Sequence, residues 1–88
     1  MSETEIRQTL LRVLGDIAPE SDLDALNPDR SLRVQLDIDS MDFLNFIISI
    51  DRELKVDIPE SDYRKLESLA GCVAYLAARL AAGSSRQA

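Results

Sequence analysis

The segment from Ser40 to Leu54 constrains this chain more than any other part of it. At 100° per residue, Phe43, Phe46, Ile47, Ile50 and Leu54 fall on one band of a helix. Met41, Leu44 and Ile48 form a second stripe, parted from the first by Asp51, while Asp42, Asn45, Ser49, Arg52 and Glu53 make the wet face. A helix with so wide an apolar arc either lies between two neighbours or keeps one stripe for a partner. Asp39 stands directly before it, and its side-chain oxygen can accept from the free amides of the first turn. The same start sets the Ser40 hydroxyl in the open at the positive end of the helix dipole, where a phosphate would be stabilised.

The flanking segments are also helical. Ser2 and Glu5 have the S-x-x-E spacing of a capping box. Behind them Ile6, Leu10, Val13, Leu14 and Ile17 follow one helical face, and Gly15 and Pro19 bring that helix to an end near Ile17 or Ala18. The connection from Ala18 to Asp39 carries Pro19, Asn27 and Pro28, together with Leu23, Leu26, Leu32, Val34, Leu36 and Ile38. Those apolar residues are too many for a disordered linker, so short helical turns anchored by leucines are expected there. After the Ser40 helix, Ile58 is held extended by Pro59, and Ser61 to Leu66 reads as a short third helix. Ser68 caps a fourth helix with Leu69, Val73, Leu76 and Leu80 on its apolar stripe and Cys72 beside them as a small core side chain.

The pattern predicts an all-α fold: a small four-helix bundle of three long helices plus a short third helix, with a long loop between helices one and two. One domain is expected over residues 1–82, with 83–88 as a flexible polar tail.

Sixteen acids against ten bases give a net charge of −6. That balance argues against nucleic acid as a partner and favours basic protein surfaces. A single cysteine excludes an internal disulfide and fits a reducing compartment, and no apolar run is long enough to span a bilayer. The chain reads as a cytoplasmic monomer. With no histidine to activate Ser40 or Cys72, nucleophilic catalysis lacks its usual base, and no enzymatic role is expected. A calcium loop counted from Asp37 fails as well: Met41, Asp42 and Ile48 fall where an oxygen ligand, a glycine and a glutamate are required.

The string Leu36-Asp37-Ile38-Asp39-Ser40-Met41-Asp42-Phe43-Leu44 resembles the L-G-x-D-S-L signature of acyl carrier proteins. The resemblance extends to Leu26-Asn27-Pro28-Asp29, to Val56-Asp57-Ile58-Pro59 and to the short third and long fourth helices. It implies that Ser40 carries 4′-phosphopantetheine, transferred from coenzyme A by a phosphopantetheinyl transferase, with Asp39 as helix cap and motif residue. It further implies a free-standing carrier of acyl thioesters serving a fatty-acid, polyketide or lipid pathway. An acyl-loading ligase or acyltransferase and a ketosynthase or other acyl-processing enzyme would be its partners. Met41, Asp42, Leu44, Ile48 and Asp51, which climb away from Ser40, are the expected docking residues.

The sequence departs from the family pattern in two places. Asp37 stands where the family usually has glycine, and Asn45 and Arg52 occupy positions usually acidic in carriers of primary fatty-acid synthesis. Two other readings share parts of this pattern. A peptidyl or aminoacyl carrier would serve a standalone adenylating enzyme, although G-G-x-S is commoner around its serine than the Ile38-Asp39-Ser40 found here. A helical adaptor would need no modification at all.

Overall fold

The computed structural model describes residues 1–82, and the polar tail expected over 83–88 lies outside them. Three long helices carry the fold: α1 (Glu3–Ile17), α3 (Ser40–Leu54) and α4 (Leu69–Ala81). A short helix, α2 (Leu32–Leu36), lies in the long connection, preceded by a 3₁₀ turn at Leu23–Ala25. The expected third helix is present as a 3₁₀ segment, Glu60–Leu66. Its tighter winding is visible at its start. Pro59 provides no side-chain cap, and the Asp62 amide bonds the Pro59 carbonyl three residues back at 2.9 Å.

Each α-helix begins where a small polar side chain can satisfy its first amides. In α1 the Ser2 hydroxyl accepts from the Glu5 amide while the Glu5 carboxylate accepts from the Ser2 amide, a complete capping box. Ser31 caps α2, Asp39 caps α3 and Ser68 caps α4 in the same manner. The bundle closes over a mainly aliphatic core. Ile6, Leu10, Leu14, Leu32, Phe46, Ile50, Leu66 and Leu76 are all fully buried. Cys72 is a core side chain too, its thiol donating to the Leu66 carbonyl at 3.2 Å, and burial pushes that thiol up to about 12.

The long connection is tied down rather than loose. The Leu32 amide donates to the Glu67 carbonyl at 2.7 Å and the Ala70 amide to the Pro28 carbonyl at 2.9 Å. The Gln35 amide group spans the loop, accepting from the Asn27 amide and donating to the Asn27 and Arg30 carbonyls. Leu32, Leu36 and Ile38 enter the core, and Leu23 and Leu26 pack against it. Val34 differs from the expectation for this loop: it is 80 % exposed. Leu32 and Leu36, four apart, take the buried face of α2, so the residue midway between them must point outward.

Two helices end in left-handed backbone without a glycine. Asp37 closes α2 at φ 51° and Lys55 closes α3 at φ 53°. Asp37 thus adopts the conformation that the family's usual glycine would take freely, and an aspartate tolerates it better than most residues. Lysine has no such compensation. Lys55→Gly should therefore stabilise the fold by about 0.5–1 kcal/mol, with a smaller gain for Asp37→Gly. Urea denaturation of the two variants checks both the sign and the order.

Candidate functional site

Asp39 and Ser40 divide their labour at the start of α3. The Asp39 carboxylate accepts from the Asp42 amide at 2.8 Å and so does the capping. Ser40, one residue inside, is exposed, and no group among the described residues hydrogen-bonds its hydroxyl. The contrast with Ser2, Ser31 and Ser68 is informative, because each of those hydroxyls accepts from the first turn of its own helix. Here an aspartate has taken the cap, and the serine is left with a free primary alcohol beside amides that have no partner within the helix.

An open groove of about 820 Å³ runs beside Ser40. Val34, Ile38, Phe43 and Leu44 supply its apolar surface, with Tyr63 and Arg64 on the 3₁₀ segment forming the opposite wall. The Arg33 guanidinium lies 5.9 Å from the Phe43 ring centroid, a cation–π contact on the rim. Arg33, Val34, Tyr63 and Arg64 were not singled out by the sequence. A signal existed for Val34 alone, in the four-residue spacing of Leu32 and Leu36 around it.

The two apolar stripes of α3 part company. Phe43, Phe46, Ile47, Ile50 and Leu54 are buried, whereas Met41 is 66 %, Ile48 45 % and Leu44 37 % exposed. Of the two arrangements open to so wide an apolar arc, the structure leaves the second stripe without an intramolecular neighbour to cover it. Asp42 and Asp51, both half-buried, lie along its margins. Asp51 also has a structural contact: its carboxylate accepts from the Ile58 amide at 3.4 Å, holding the extended bridge against the end of α3.

Behind the 3₁₀ wall sits a cluster that the sequence did not announce. The Tyr75 hydroxyl donates to the Asp62 carboxylate at 2.6 Å, and Arg79 and Lys65 approach the same carboxylate at 3.6 and 3.5 Å. Arg79 also donates to the Asp57 carbonyl at 2.9 Å. The hydrogen bond from Tyr75 holds the Asp62 carboxyl below its ordinary range, an effect that Lys65 and Arg79 reinforce. Burial, then the bond to Asp62, pushes the Tyr75 phenol up to about 12.

The signs of these shifts fix a pH window. Asp62 binds its proton less readily when folded, so its contribution is present above the ordinary carboxylate value and lost as pH falls through the lowered one. Tyr75 binds its proton more readily when folded, so stability should fall as pH rises from the phenol's ordinary value of 10.0 to about 12. Thermal melts of the parent chain and Tyr75→Phe across that range check this: the variant should lose less stability than the parent.

Among the described residues no helix is long and apolar enough to cross a membrane. None of their His, Cys, Asp and Glu side chains gather into a group able to hold a metal ion.

With this geometry in view, comparison with known proteins identifies the class. A family model described as "Phosphopantetheine attachment site" matches residues 4–76. The acyl carrier protein of Kineococcus radiotolerans is 30 % identical over 77 residues, covering 85 % of this chain and 91 % of its own length. That of Lactobacillus acidophilus is 29 % identical over 76 residues, covering 86 % and 94 %, and that of Acidothermus cellulolyticus 27 % over 79 residues, covering 88 % and 90 %. The chain belongs to the phosphopantetheine-attachment family of acyl carrier proteins. It is a carrier of acyl groups on phosphopantetheine, not a catalyst, and works with acyl-processing enzymes.

The start of α3 suits such a group. A phosphodiester there would face first-turn amides and the positive end of the dipole, worth about 0.3–1 kcal/mol at an exposed site. Serine offers an unbranched alcohol for that bond. When bound, the arm supplies a terminal thiol on which acyl groups are held as thioesters.

Proposed function

We propose that Ser40 is the attachment point of the 4′-phosphopantetheine arm and that the chain serves a dedicated fatty-acid, polyketide or lipid pathway. The observation that carries the first half is the free, exposed hydroxyl of Ser40 behind a cap already supplied by Asp39. No base is needed in the chain itself, because a phosphopantetheinyl transferase supplies the chemistry of attachment from coenzyme A. Tethering then raises the effective concentration of the acyl group at each partner's active site.

The partners we assign are the transferase, an acyl-loading ligase or acyltransferase, and a ketosynthase or other acyl-processing enzyme. They dock on the exposed stripe of Met41, Leu44 and Ile48, with Asp42 and Asp51 at its margins, since a partner receiving the arm must lie close to Ser40. Asn45, Arg52 and the Arg33 and Arg64 rim dilute the acidity of this face. Apolar contact therefore carries more of the docking here than it would on a strongly acidic carrier, which supports a dedicated pathway. The carrier domain spans residues 1–82 and acts as a monomer. Intact mass of the protein isolated from its own cell tests the assignment: the added mass gives the acyl species, and fragmentation places it. A modification on any residue other than Ser40 overturns the attachment reading, and an added mass with no acyl group overturns the pathway reading.

A further inference from the structure

Two arginines face the groove beside Ser40 with no partner of opposite charge. Arg33 on α2 and Arg64 on the 3₁₀ segment both line it, and both are exposed. Asp37 and Glu67 line the same groove, yet neither arginine forms an ion pair with any carboxylate among the described residues. In a chain of sixteen acids and ten bases, two cations left unpaired at one groove call for a reason. The Arg33 guanidinium rests on the Phe43 ring, 5.9 Å from its centroid. Phe43 comes three residues after Ser40, and residues at that spacing are neighbours on a helix surface. The guanidinium is therefore parked on the Ser40 side of α3, with its hydrogen-bond donors unused. The roots of the two arginines are also fastened to each other. The Leu32 amide donates to the Glu67 carbonyl at 2.7 Å, and Ser31 and Ser68 form an isolated bridge. Leu32 and Leu66 are fully buried, and the Arg33 carbonyl accepts from the Asp37 and Ile38 amides. Both side chains thus start from anchored backbone on opposite sides of the groove.

The anion that fits them is a phosphodiester. It carries a negative charge, accepts hydrogen bonds and donates none, and its free oxygens match the fork of a guanidinium. We propose that Arg33 and Arg64 clamp the phosphodiester of the arm from the two sides of the groove. The arm then leaves Ser40 over the groove rather than along α3, and the stripe of Met41, Leu44 and Ile48 stays clear for a partner. The clamp rests on Ser40 being the attachment point.

The parent chain is loaded from coenzyme A by a promiscuous transferase, and fragmentation of the product locates the arm. An arm that fails to load, or loads elsewhere, overturns the Ser40 reading and the clamp with it; the readings that follow, taken on protein loaded at Ser40, bear on the clamp alone. In the parent, the side-chain Nε–H resonances of Arg33 and Arg64 should move between the unloaded and loaded protein, while that of Arg7, exposed on α1, stays in place. Arginine resonances that do not move, or that move no more than Arg7, overturn the clamp. This comparison uses no variant, so it stands whatever the substitutions do to folding or loading. The phosphorus resonance of the arm gives the second reading, with the loaded chain unfolded in urea as the reference for an unheld phosphodiester. The difference between folded and unfolded protein should shrink by about half or more in the double variant Arg33→Gln, Arg64→Gln, because the two charge-assisted contacts are gone. Each single variant should fall between, and Arg7→Gln should match the parent. A double variant with helical circular dichroism and the parent's phosphorus resonance overturns the clamp, as does an equal change in Arg7→Gln.

Discussion

Incubated with coenzyme A and a promiscuous phosphopantetheinyl transferase, the parent chain should gain the mass of one phosphopantetheine, and Ser40→Ala should gain none. The substitution is clean because nothing in the fold depends on the hydroxyl it removes. Ser40 is exposed, Asp39 supplies the cap through the Asp42 amide, and no group among the described residues bonds the serine side chain. Alanine also suits the first turn of a helix, so stability should change by less than about 0.5 kcal/mol. The neighbouring substitution behaves differently. Asp39→Ala frees the first-turn amides and should cost about 1 kcal/mol, through lost capping rather than lost chemistry. Intact mass and a thermal melt on the same samples separate the two effects. Loading of Ser40→Ala, or a variant that has lost its helical circular dichroism, would contradict the assignment.

The parts of this fold legible in the sequence are those governed by local rules. The limits of α3 follow from Asp39 at one end and the extended bridge before Pro59 at the other, and the structure places the helix over Ser40–Leu54. The capping box of α1 and the Ser68 cap of α4 are legible for the same reason: donor and acceptor lie within three residues of each other. What stayed hidden depends on residues brought together from a distance. Tyr75 and Asp62 are thirteen apart in sequence, and nothing in either segment indicates that a phenol on one helix reaches a carboxylate on another element. The groove is hidden for the same reason, since its walls come from α2, α3 and the 3₁₀ segment. The winding of that segment was also out of reach, because the pattern from Ser61 to Leu66 is too short to distinguish three residues per turn from 3.6. The proposal for Ser40 rests on a feature that is itself local, an aspartate taking the cap from the serine that follows.

The second large effect expected is a loss of acyl transfer without a loss of fold when the outer stripe of α3 is cut back. Leu44→Ala and Ile48→Ala remove side chains that are 37 % and 45 % exposed, so neither leaves a closed cavity. Their cost in stability should stay under about 1 kcal/mol. If these residues anchor the partner, each truncation should weaken transfer to the cognate enzyme about tenfold or more, since central apolar anchors at interfaces are worth roughly 2 kcal/mol. Leu76 provides the opposite case. It is fully buried in the core, and Leu76→Ala should cost about 2–5 kcal/mol while leaving the docking face intact. That is a large share of what a domain of this size has in reserve. Asp42→Lys adds a third signature, because a charge at the margin acts mainly on encounter: association should slow and its dependence on salt should weaken. Transfer assays at several salt concentrations, run beside thermal melts of the four variants, therefore sort core from surface. If Leu44→Ala and Ile48→Ala lose melting temperature in step with transfer, as Leu76→Ala should, the stripe is part of the core and docking must be sought elsewhere around Ser40.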